Sequence, residues 1–177
     1  MQSDWFERKS VGIRLENLTN DAERHAIRSV HEAAFGGAYE ANLVDQLRGE
    51  YSLVSLVAES GQRIVGHILF SRMWINAASK TVSAVALAPV AVLPDYQNKG
   101  IGQRLITDGL HRLKTQGERI VLVVGQAGYY PRFGFSCERA VFLASPFPRE
   151  AFMALELVEG ALEGVQGPVV YPAAFGL

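Results

Sequence analysis

The chain has 177 residues, 49% hydrophobic and 20% charged, with a formal net charge of -1 at pH 7, which suits one folded domain over residues 1–177 and excludes a disordered tail. Its 17 basic and 18 acidic residues are dispersed, leaving no electrostatic footprint for nucleic acid or an anionic membrane, and no run approaches the ~18 apolar residues of a membrane span. A single cysteine, Cys137, excludes an internal disulfide and a paired-thiolate zinc site; residues 1–10 lack the apolar centre of an export signal, so a cytoplasmic setting and a buried apolar thiol are expected.

In chain order, Val11–Leu15 alternates as a short strand, and Asn20 with Glu23 three residues on forms a capping box that opens a helix. Ile27, Val30 and Ala34 recur at helical spacing until Gly36-Gly37, and residues 40–48, with Leu43, Val44 and Leu47 on one side, form a second helix. Residues 53–58, 63–75 and 81–93 are rich in Val, Ile and aromatics and separated by turn residues, the pattern of an antiparallel meander. Pro89 falls within the third run, where it cannot donate to a ladder, so a bulge or local splaying is expected there. Residues 100–116 carry one apolar stripe, with Gly117 as a stop. Ile120–Val124 is an unbroken apolar run, typical of a strand buried on both faces and paired in parallel across a crossover helix. A turn at 127–132 and strands at 135–143, 152–158 and 168–171 complete the series, an α/β chain with a mixed, largely antiparallel sheet.

Between the third meander strand and the Gly100 helix lies Pro94-Asp95-Tyr96-Gln97-Asn98-Lys99-Gly100-Ile101-Gly102-Gln103-Arg104. A loop feeding a helix through two glycines exposes backbone N–H groups at the positive end of the helix dipole, a seat for an anion such as phosphate, and Lys99 and Arg104 add charge-assisted contacts. Neither the P-loop nor the dinucleotide fingerprint is met, since Leu105 stands where a third glycine belongs. The run Q-x-x-G-x-G at residues 97–102, preceded by Val90-Ala91-Val92, resembles the acetyl-CoA signature of the GNAT superfamily. About thirty residues on, Tyr129-Tyr130-Pro131-Arg132-Phe133-Gly134-Phe135 resembles the family's later aromatic turn. The ending, with Val169-Val170-Tyr171-Pro172, is similar to that of an uncharacterised bacterial-type subgroup.

The resemblance implies a GNAT-like fold, with helices on both faces and a parallel pair splayed around a cofactor cleft. It also implies acetyl transfer from acetyl-CoA to an amine of a small molecule or protein, in a family where many members dimerise. Val90, Ala91 and Val92 would line the pantetheine arm in the manner of an added strand. Gln97, Asn98, Lys99, Gly100, Ile101, Gly102, Gln103 and Arg104 would wrap the pyrophosphate, with Tyr129 and Phe133 as cleft walls. Tyr130, four residues before Gly134, stands where the family often carries a tyrosine that donates to the CoA sulfur. Gln126 and Ala127 depart from the polar residue often found near the arm, and the strand 83–92 lacks the glutamate that some members use as base. Glu59 and His67 are then candidate bases by location. His25, His31 and His111 are expected at the surface, and no metal is implied. Candidate acceptor contacts are Phe35, Tyr39, Trp74, Phe147, Glu156 and Glu159. The alternative from another class is a catalytically silent acyl-CoA sensor.

Overall fold

In the computed structural model, which describes residues 10–177, Asn20 opens the first helix as its pattern requires. Its side-chain oxygen accepts the Glu23 amide at 3.2 Å, and α1 runs Asp21–Phe35 until Gly36 leaves it at φ 76°. Glu23 does not complete the capping box. Its carboxylate accepts the Asn17 amide (2.7 Å) and pairs with Arg14 (2.8 Å) of β1, Val11–Leu15, because a guanidinium on the adjacent strand is the stronger donor. The second helix, α2, spans Tyr39–Leu47. The absence of an export signal concerns residues 1–10, which apart from Ser10 lie outside the described residues.

The meander forms as expected from β2 (Ser52–Ser60), β3 (Arg63–Ala77) and β4 (Lys80–Val92). Helix α3, Ile101–Thr115, then crosses over to β5, Ile120–Val124, parallel to β4. Strand β6 is Leu143–Ala144, β7 Phe152–Glu156 and β8 Gly167–Val170. The eight-stranded sheet is ordered β1-β2-β3-β4-β5-β7, while β8 pairs with β3 at Trp74 and Ile75 and with β6 in parallel. Alternation along β3 divides its neighbours. Phe70 faces α3, where a side chain on Gly109 would collide with its ring at 2.1 Å, and His67 faces α1, where it meets His31. Helices therefore cover both faces.

The expected strand at 135–143 does not form. Ser136 makes one isolated bridge to Ala154, its hydroxyl accepts the Arg139 amide at 3.2 Å, and Glu138–Ala140 closes into a 3-10 turn, with β6 following. The serine offers the backbone a local partner that competes with a ladder. Cys137 is half-buried, with its sulfur 3.5 Å from the Glu150 carbonyl, rather than a core thiol.

A polar chain threads the face under α1. His31 is fully buried, against the expectation of a surface residue, whereas His25 and His111 are exposed. His31 Nε2 lies 2.8 Å from His67 Nδ1, His67 Nε2 lies 2.8 Å from Ser55 Oγ, Ser55 donates to Glu16, and Glu16 accepts from Arg48 Nε at 2.8 Å. The serine's donation to the carboxylate fixes the order. His67 must give its Nε2 proton to Ser55 and accept from His31, which leaves His31 Nδ1 as a bare acceptor without a partner. Desolvation depresses His31 to about 3, with His67 and then Arg48 as lesser causes; desolvation likewise lowers His67. Burial raises Glu16, but His67 at 3.7 Å, the hydrogen bond from Ser55 and the charge of Arg48 outweigh it and hold the carboxylate at about 2.

Between about pH 3 and the ordinary histidine value of 6.5 the unfolded chain binds protons that the folded chain refuses at His31, so stability falls as pH drops below 6.5. Glu16 adds a second loss between its ordinary 4.5 and about 2. Denaturation midpoints measured from pH 8 to 4 should decline below pH 6.5 and more steeply below 4.5. A His31→Phe variant should flatten the upper limb; an unchanged limb would contradict the neutral, buried assignment.

Candidate active site

Strands β4 and β5 pair at two positions only, Val85 with Val121 and Ala86 with Leu122. Beyond them β4 continues to Val92 and β5 to Val124 without meeting. The expected irregularity at Pro89 is present: between the pairs Phe70 with Leu87 and Ile68 with Val90, β4 holds one residue more than β3. A bulge re-aims the strand after it.

The splay leaves backbone groups open. The Leu93 amide donates to the Val65 carbonyl at 2.9 Å, so by strand alternation Ala91, paired with His67, also turns its backbone towards β3. Val90 and Val92 turn theirs away, into the gap. Ala91, between them, faces its backbone to β3 and buries its side chain, so it does not open onto the gap. Gln97 closes the lower end, its side-chain amide donating to the Val92 carbonyl at 2.9 Å.

Below the gap the chain turns twice through the left-handed region, Asn98 at φ 60° and Gly100 at φ 81°. Nothing lies within 4 Å of a Cβ added to Gly100, so glycine is required there for conformation, not for space. Within the described residues the amides of Asn98, Lys99, Gly100, Ile101, Gly102 and Gln103 donate to no protein group, and the Arg104 amide is the first to close a helical bond, to Gly100 at 3.1 Å. The residues of these free donors, all but Lys99, line a cavity of about 490 Å³ with Val92, Tyr96, Tyr129 and Arg132, at the positive end of α3.

The expected cations are directed elsewhere. Arg104 reaches back to the Val11 carbonyl (2.8 Å), and Lys99 donates to the Asp95 carbonyl (2.8 Å) over the Tyr96 ring. The guanidinium beside the free amides belongs to Arg132, stacked 4.5 Å from the Tyr129 ring centre. Sequence reasoning missed it because it lies in the aromatic turn, not in the glycine loop.

That turn, a 3-10 segment at Tyr130–Phe133, follows β5 after residues 125–129. Tyr129 and Tyr130 meet edge to face at 5.2 Å, and Tyr130 packs on Phe135 at 5.9 Å and on Gly125, where an added Cβ would lie 2.2 Å from its ring. Phe133 lines neither cavity and packs against Tyr129 at 5.4 Å. Burial, with Tyr129 beside it, pushes the Tyr130 hydroxyl up to about 12, and no described group hydrogen-bonds it.

Tyr130 faces a second cavity of about 410 Å³ on the other side of the splay, shared by Val90, Pro89, Val124 and the aromatics Phe35, Tyr39, Phe147, Tyr171 and Phe175. Phe35, Tyr39 and Phe147, named from the sequence as candidate acceptor contacts, thus share one cavity. Trp74 packs instead on Tyr51 at 6.2 Å, Glu156 accepts the Leu162 amide at 2.7 Å, and Glu159 is exposed outside the cavity. Glu40, Leu43, Tyr171 and Phe175 were not foreseen; Glu40 carries the only local signal, an acidic residue in the first turn of a helix.

Neither candidate base reaches either cavity. Glu59 pairs with Arg14 at 2.9 Å on the β1–β2 edge. His67 is buried behind the sheet, and its partners at about 3 and about 2 are too acidic to take a proton from an amine near pH 7.

A Cβ on Gly102 would meet Tyr129 Oη at 3.4 Å and Val92 at 3.9 Å, so a valine there intrudes on the loop cavity. Gly102→Val should weaken acetyl-CoA by about tenfold or more in calorimetry while leaving the melting temperature of the free protein within a degree or two. An unaltered dissociation constant would contradict the placement.

A family model described as an acetyltransferase (GNAT) domain matches residues 16–137, which spans both motifs. The uncharacterized N-acetyltransferase YjhQ of Escherichia coli K12 is 38% identical over 136 residues, 75% of each chain, and YhbS of the same organism is 31% identical over 146 residues, 80% of this chain and 86% of its own. Among solved structures, E. coli YhbS in complex with CoA superposes with a TM-score of 0.84 at 29% identity, covering 94% of this chain and 92% of that one. A GNAT acetyltransferase from Brucella melitensis in complex with acetyl-CoA gives 0.77 at 35% identity, over 94% and 99%. With the loop, the splay and these likenesses in agreement, the chain belongs to the GNAT family of N-acetyltransferases.

Proposed function

We propose that the chain transfers the acetyl group of acetyl-CoA to a primary amine by direct attack, with the pyrophosphate on the amides of residues 98–103 and the thioester at Tyr130. The observation that carries this reading is the row of free amides below the gap into which Val90 and Val92 turn their backbone. A diphosphate satisfies the first set, and the pantetheine amides satisfy the second as an added strand. The thioester then crosses from the loop cavity into the aromatic one, and Tyr130 stands on that path.

In the transfer the amine nitrogen forms the new C–N bond, the C–S bond breaks with its electron pair going to sulfur, and the nitrogen loses a proton to water. A thiol behaving like cysteine has a pKa near 8.5, so full proton transfer from a tyrosine at about 12 runs uphill by on the order of 5 kcal/mol. Tyr130 therefore acts by donating a hydrogen bond to the developing thiolate, which solvent later protonates. An amine with an ordinary pKa of about 10.4 is neutral in only roughly one molecule in two thousand at pH 7, so kcat/KM should climb with pH towards 9.

Tyr130→Phe should lower kcat by about 10- to 100-fold with acetyl-CoA affinity held within about twofold, read by thiol release and calorimetry. Gly125→Ala should reproduce the defect by displacing the ring. Unchanged kcat in both variants would remove the role. Tight acetyl-CoA binding without turnover on any amine would favour a silent acyl-CoA sensor.

A further inference from the structure

Resting on the transferase reading, we infer that the acceptor is a monoamine on an apolar or aromatic body, held at the mouth of the aromatic cavity by Glu40. Among the residues that line this cavity Glu40 is the only one with a formal charge; the rest are aliphatic or aromatic apart from tyrosine hydroxyls. Within the described residues the Glu40 carboxylate has neither an ion pair nor a hydrogen bond. Its neighbours in the chain's charge pattern are all engaged: Arg28 with Glu32 and Asp45, and Arg48 with Glu16 and Asp45. A half-buried, unpaired carboxylate beside an apolar wall calls for one cation.

The polar capacity of the remaining wall is small. The Tyr39 hydroxyl already donates to the Phe175 carbonyl at 2.9 Å, which ties α2 to the C-terminal turn and narrows the rim. Tyr171 is packed between Phe147 (5.9 Å) and Phe175 (4.9 Å), and Tyr130 is reserved for the thioester. A polyamine would bring a second ammonium against aromatic carbon with no partner, and an aminoglycoside would bring several ammonium and hydroxyl groups. Each unpaired group costs more than an apolar surface can return. A single ammonium on a hydrocarbon or aryl group leaves nothing unsatisfied. It docks charged on Glu40, releases one proton to water as it leaves the carboxylate for the apolar interior, which favours the neutral form, and attacks as the free amine.

The test compares phenethylamine, hexylamine, spermidine and kanamycin as acceptors for the full chain at saturating acetyl-CoA, with acetyl-CoA binding measured separately. The two monoamines should exceed spermidine and kanamycin in kcat/KM by about tenfold or more. Glu40→Gln should raise KM for phenethylamine by about tenfold, with kcat and acetyl-CoA affinity within about threefold. Preference for spermidine or kanamycin, or an unmoved KM in a Glu40→Gln protein of unchanged melting temperature, would overturn the acceptor class and leave the transferase intact. Acetyl-CoA binding with no turnover of any amine would overturn the transferase reading and this inference with it.

Discussion

The separation of β4 from β5 after two paired residues is the constraint on which the rest of the structure depends. A parallel pair that continued to its natural length would consume the outward backbone groups of Val90 and Val92 and close the space between the glycine loop and the aromatic cavity. Because buried backbone donors and acceptors are rarely left unpaired, an open edge in the middle of a sheet is a request for an extended ligand with amides of its own. Pantetheine is such a ligand. The one-residue excess of β4 over β3 beside Pro89 supplies the bend, and Gln97 holds the lower lip by its bond to Val92.

Around that gap the molecule divides its labour by chemistry. The loop side is built from backbone: two left-handed turns and a helix terminus present donors that need no side-chain charge, and Arg104 and Lys99 are free to brace the loop against β1 and Asp95. The opposite side is built from side chains, aromatic rings from α1, α2, the β5 turn and the C-terminal segment around one carboxylate. Tyr129 and Tyr130 stand between them, one on each cavity, held edge to face. Their support is steric, through Gly125 and Phe135, so the Tyr130 hydroxyl is positioned by packing, and no described group hydrogen-bonds it.

Much of this was legible in the residues. The capped start of α1, the meander, the irregularity at Pro89, the parallel β5 and the glycine loop all follow from local rules, since each is written within a few consecutive positions. What could not be read is what depends on distant partners. The bond from Arg104 to the Val11 carbonyl, on a strand ninety-three residues away, has no signal in the loop that suggested a phosphate ligand. His31 looked like a surface residue because its partner, His67, lies thirty-six positions on and across a layer boundary. The strand expected at 135–143 failed on a local rule overlooked, a serine hydroxyl at Ser136 capturing the Arg139 amide. The wall of the aromatic cavity was half visible, as Phe35, Tyr39 and Phe147, while Tyr171, Phe175 and Glu40 entered only through the fold.

Amide hydrogen exchange with and without acetyl-CoA tests the central claim most directly, because it reads the open edge itself. If the splay receives the pantetheine as a strand and the loop amides receive the diphosphate, exchange should slow on cofactor addition at Val90, Val92 and residues 98–103, while Ala91, already turned towards β3, stays as it was. Protection confined to other segments, or none at saturating cofactor, would contradict the account.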